Sequence, residues 1–196
     1  MPRPSNWQPP VGYARFDQFE DVLASTDLLA IVAPRLPGQP SLWKWMIIAT
    51  HNSLQGALVC AISDTSKTNI LKKDSAEARL TWLASLRGPS PPPHLDDFIP
   101  LVKKYRKKYP GYIATQQFEQ ICKLHTEFRN SFIHFVPEGW SIELAMLAAI
   151  IRTCLDLTEA AMRQHQVAMH LDEEAQCRLR QNLIVTREQL RLLDSL

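Results

Sequence analysis

A chain of 196 residues with 45% hydrophobic content is long enough to bury one sizeable core and too short to divide comfortably into two. Its formal net charge of +2 excludes a bulk binder of polyanions, so any contact with nucleic acid must come from a local patch.

In chain order, residues 1–11 form a Pro-rich arm with no apolar signal core, expected to lack order unless it docks. Residues 12–196 are expected to form a single helical-bundle domain. Residues 13–33 carry Phe16, Phe19, Val22, Leu23 and Leu29 at helical intervals, and Pro34 and Pro37 stop that helix. Ser41 is placed to cap a long helix to about Ile62, with Trp43, Ile47, Leu54, Leu58 and Ala61 as its apolar stripe. His51 and Gln55 lie one turn apart on it, with Asn52 close by on the side away from the stripe. This polar set either lines a site or makes hydrogen bonds between bundle helices. Asp74 or Ser75 is placed to cap a short helix through Leu86, and residues 88–93, G-P-S-P-P-P, form a stiff connection that serves as a spacer or as a polyproline docking segment.

The next helix, 95–109, ends in K-K-Y-R-K-K-Y. Positive charge there complements the helix dipole. Alternatively, Lys103, Lys104, Arg106, Lys107 and Lys108 neutralise phosphates while Tyr105 and Tyr109 offer stacking faces, which makes an RNA track. Pro110-Gly111 ends this helix and Thr115 caps the next. After Gly139, Ser141 caps a long helix whose segment 144–151 is almost continuously apolar. The last helix starts near Asp172 and repeats Leu179, Leu183, Thr186, Leu190 and Leu193 as a seam for the bundle or for a second subunit.

Cys60, Cys122, Cys154 and Cys177 form no C-x-x-C pair and read as reduced core thiols of a cytoplasmic protein. The most apolar run, 142–157, contains Arg152 and Asp156, so no membrane span is expected. His165 and His170 lack acidic or cysteine partners at ligand spacing, and neither a metal nor another cofactor is expected. No alternating strand pattern stands out, which makes the fold class all-α.

Residues of catalytic type meet at Arg129-Asn-Ser-Phe-Ile-His134. Arg129 supplies a permanent planar cation, His134 exchanges a proton near neutrality, and Asn130 sits one turn before His134, where it can orient the ring. Glu127 shares a face with Asn130 and His134 and is a candidate for support, as are His51 and Gln55. His125 points toward the apolar stripe and reads as a buried, hydrogen-bonded histidine. On a straight helix Arg129 and His134 diverge by about 140°. A joint site therefore needs a long reach by Arg129, a distorted last turn, or a partner chain. Arg163 and His170 fit the same loose spacing with Gln164 in the polar position, so spacing alone says little.

An arginine followed by a polar residue, with a histidine four to six positions beyond the arginine, resembles the R-x4-6-H motif of the HEPN superfamily. The resemblance covers this motif and a general helical layout. It implies an all-α, HEPN-like bundle, two motifs facing each other across a homodimer, and metal-independent endoribonuclease activity, associated with phage defence or toxin–antitoxin pairs and hence with an antitoxin partner. By that resemblance His134 moves the proton, Arg129 stabilises charge on the phosphoryl oxygens, and Asn130 holds the site in shape. One toxin subgroup has a tyrosine two residues after the histidine; here that position is Val136. The alternative is a non-catalytic bundle that binds RNA or a partner protein.

Overall fold

Asp17 starts the first helix by accepting hydrogen bonds from the Phe19 and Glu20 amides, both at 3.0 Å, in a computed structural model that describes residues 11–14, 16–134 and 139–193. Helix α1 (Gln18–Val32) therefore begins later than the hydrophobic spacing suggests. Phe16 lies outside it and is 73% exposed rather than part of the core stripe. The arm before Val11, Val136 and the start of the Pro-Glu-Gly loop fall outside the described residues.

Helix α2 (Trp43–Ile62) is the axis of the bundle, touching α1, α4 (Phe98–Lys108), α7 (Leu144–Met162) and a π-helical turn, Leu124–Arg129. Its window Pro40–Ile62 is long and apolar enough to cross a membrane, and 72% of that window is packed inside the bundle. A helix enclosed on most sides buries polar residues along with apolar ones: Thr50, His51 and Ser53 are buried, while Asn52 is exposed. Gly56 allows α1 to come close: a Cβ there would lie 2.7 Å from Val22 Cγ2. A short 3-10 turn, Pro40–Leu42, precedes α2, and Ser41 makes no cap hydrogen bond.

The predicted helix stops hold better than the predicted starts. Helix α3 (Lys73–Ser85) has Lys72 at its N-cap and no side-chain cap. Ser75 instead accepts from the His94 amide at 2.9 Å, which clips the Pro-rich connection back onto α3. Hydrogen bonds from Lys72 to the His94 carbonyl and from Asp96 to the Ile70 carbonyl join this region in an isolated antiparallel bridge, Leu71 with Leu95. Helix α5 (Thr115–Lys123) has Thr115 as its first residue, not its cap; the Gln117 side chain accepts from the Ala114 amide at 2.9 Å. The chain runs on from α5 through the π turn into α6 (Asn130–Ile133). Helix α7 begins three residues after the expected cap, Ser141, and a short α8 (His165–Ala168) follows it.

In α9 (Glu173–Leu193) Asp172 accepts from the Ala175 amide at 2.8 Å, as its position suggests. The seam packs on this chain's own α1 and α7, with Leu179, Leu183, Thr186 and Leu190 buried. Arg187 bridges Asp156 at 2.8 Å and Glu159 at 2.7 Å beneath it. One hydrophobic cluster takes in residues from Val22 to Leu190. Cys60 and Cys154 belong to it, whereas Cys122 is half-buried outside it and Cys177 is exposed, facing away from the seam, so the expectation of four core thiols holds for two.

Candidate functional site

Thr126, within the π turn, and Ser131, just after it, return hydrogen bonds to the carbonyls of Cys122 and Glu127, four residues back. The π turn takes i→i+5 bonding and so widens the helix by one residue, a distortion common at functional sites. The helix end is distorted: the π turn finishes at Arg129, and His134 leaves helical geometry with φ −106 and ψ 55.

Arg129 Nη1 donates to Asn130 Oδ1 at 3.1 Å, so these two are brought together. His134 joins them through its backbone, its amide donating to the Asn130 carbonyl at 2.8 Å, while its side chain is exposed. Among the described residues no hydrogen bond joins the His134 ring to Arg129, and no carboxylate pairs with Arg129. Glu127 faces solvent and pairs with Lys123 at 3.6 Å, and among the described residues no hydrogen bond joins it to His134.

His51 and Gln55 do not line the space beside His134, because the enclosure of α2 separates them. Gln55 faces a cleft of about 340 Å³ between α1 and α2, together with Asn52, Gln18 and Asp21, and burial pushes the Asp21 carboxyl up. His51 turns the other way. Its Nε2 lies 2.9 Å from His125 Nδ1, and Phe98 covers both rings, with centroids at 4.2 Å and 5.0 Å. His125 is therefore the hydrogen-bonded histidine that its inward position suggests. Burial, reinforced by His125 and the Arg129 cation, brings His51 down to about 3. Burial and Arg129 also lower His125, against the pull of Asp97. The cation thus sits beside two neutral imidazoles, one buried and one half-exposed. The inward position of His125, and the reading of the His51 set as hydrogen bonding between bundle helices, were the available signals for this pair; nothing in the residue pattern announced the π turn.

The basic run proves divided in its tasks. Tyr105 is 0% exposed, so it offers no stacking face to RNA. Lys104 pairs with Asp96 at 2.8 Å, and Lys108 donates to the carbonyls of Ala61 and Ile62 at the end of α2, at 2.9 Å and 3.1 Å. Tyr109 is half-buried, and its hydroxyl donates to Ala61 at 3.0 Å. Arg106 reaches Thr115 Oγ1 at 3.3 Å and lies over the Phe118 ring. Lys103 and Lys107 stay exposed. Lys104, Lys107 and Lys108 line an open cleft of about 610 Å³ with Lys73 and Asn69. Among the described residues no group of three or more histidine, cysteine or acidic side chains could hold a metal ion.

No protein-family model, curated protein or solved structure matches the chain.

Proposed function

We propose that this protein is a metal-independent endoribonuclease of HEPN type, acting as a homodimer in which two Arg129–His134 segments face one another. One observation carries the reading: the Arg129 guanidinium, without a carboxylate partner among the described residues, is held by Asn130 at the same helix end that exposes His134. A cation neutralised by a carboxylate would bind phosphate poorly, and one left open can take two phosphoryl oxygens with its planar fork.

In the reaction this implies, the RNA 2′-oxygen attacks the adjacent phosphorus and the bond to the 5′-oxygen breaks. The products are a 2′,3′-cyclic phosphate and a 5′-hydroxyl. Arg129 stabilises the charge on the phosphoryl oxygens, His134 transfers a proton, and Asn130 keeps the guanidinium in place. A second copy would supply the group that one helix end cannot present alone. Defence or toxin activity, with an antitoxin as partner, is the setting that the motif's resemblance suggests.

Cleavage of a mixed RNA pool in EDTA tests the reading. Wild type should yield 2′,3′-cyclic ends, and His134→Ala and Arg129→Ala, shown to be folded, should lose the activity. Cleavage unaffected by both substitutions would sink it. The second reading, a bundle that binds RNA without cutting it, draws on the lysine-lined cleft beside α4. RNA retained by the wild type, lost on Lys73→Glu with Lys107→Glu, and never cut would favour that reading.

A further inference from the structure

His51 is 1% exposed, and no hydrogen bond reaches its sealed Nδ1, although the Asn52 amide lies close enough to favour the charged ring slightly. A buried donor without a partner is rarer than a buried acceptor without one. The absence of an acceptor in bonding geometry at Nδ1 assigns the His51 proton to Nε2, the nitrogen 2.9 Å from His125 Nδ1, which then accepts it. His125 is then a neutral ring with Nδ1 occupied as acceptor and its proton on Nε2. That second nitrogen has no hydrogen-bond partner among the described residues, and the ring is half-exposed. Four residues on, across the widened π turn, stands the half-buried Arg129 guanidinium, with no carboxylate partner among the described residues. Phe98 closes one side of both rings, and Asp97 and Arg129 are the charges that act on His125.

We propose that His125 Nε2–H and the Arg129 guanidinium together hold one phosphate group of an RNA ligand, with buried His51 as the positioning residue that keeps His125 in its donor form. Two donors on one side of a helix, one cationic and one neutral, suit a singly charged phosphodiester. The inference rests on the ribonuclease reading for its RNA, but the anion site is testable without cleavage. It gives Arg129 a neighbour within its own chain, whereas the motif alone leaves it waiting for a partner.

The experiment is a titration of the whole protein with inorganic phosphate, followed by imidazole nitrogen–proton NMR correlations, with RNA cleavage assayed on the same samples. We expect His125 in the Nε2–H form before phosphate is added, a saturable change at its ring on addition, at least about tenfold weaker binding in His125→Ala, and near-wild-type binding in His125→Gln, whose amide can donate from a similar place. Phosphate bound in this way by a protein that cuts no RNA would retain the anion site and remove the ribonuclease reading. Cleavage with no phosphate effect at His125, or His125 protonated on Nδ1, would overturn the inference and leave that reading standing. The tautomer is read on the wild type, so the proposal remains falsifiable even if a variant misfolds.

Discussion

Lys108 Nζ donates to the Ala61 carbonyl at 2.9 Å, so the basic end of α4 closes the C-terminus of α2. The last carbonyls of a helix lack partners within it, and a lysine there satisfies both hydrogen bonding and the helix dipole. Lys108→Ala should cost about 1 kcal/mol in denaturant unfolding, while exposed Lys103→Ala should change stability by less than about 0.5 kcal/mol. Equal effects would mean that the two lysines do not divide the work between structure and surface.

Gly56→Ala should destabilise the protein. A Cβ at 2.7 Å from Val22 Cγ2 and 3.3 Å from Asp21 Oδ2 pushes α1 off α2. Overpacking of this kind costs about 1–3 kcal/mol, against a gain of about 1 kcal/mol in helix propensity. Combined with Val22→Ala, the loss should be smaller than the sum of the two single losses, because the second substitution vacates the clashing methyl. Additive losses in a double-mutant cycle would contradict the close approach.

Acid should weaken the fold through His51. Its folded value is about 3 and its ordinary value 6.5. Between those limits the unfolded chain binds a proton that the folded one refuses, so the stability contribution is present in full above pH 6.5 and lost as pH falls toward 3. The slope from this residue should approach about 1.4 kcal/mol per pH unit within the window. His125, lowered by burial and Arg129, acts in the same direction. His51→Gln should flatten the pH dependence of the unfolding midpoint; an unchanged profile would show that His51 does not titrate this way.

Tyr105→Phe should be neutral or stabilising by up to about 1 kcal/mol, because the buried hydroxyl has no well-aligned partner, with the Gln164 amide nearby. It should leave RNA retention unaltered. Weaker retention in a protein of unchanged stability would restore Tyr105 to the stacking role that its burial denies.

Under the ribonuclease reading, Asn130→Ala should lower the cleavage rate by about ten- to a hundredfold, since it frees Arg129 rather than removing it. A fall as deep as that of His134→Ala would give Asn130 a direct part in the chemistry.

The helical class was legible because its signal is local: apolar residues at helical spacing in α1, α2, α7 and α9, and stops at Pro34, Pro110 and Gly111. The α9 seam was legible as a seam, and only its packing on α1 and α7 decided which of the two candidate surfaces it meets. At the site, Arg129, Asn130 and His134 were visible as a short motif and His125 as an inward histidine. Tertiary structure decided the rest. Enclosure of α2 sent His51 to His125 and Gln55 to another cleft, and a π turn interrupts the helix between His125 and the motif. It also took Tyr105, Lys104 and Lys108 out of a basic run that looked uniform. Periodicity depends on neighbours a few residues away, whereas the burial of a polar side chain depends on which helices close over it, and no local pattern contains that.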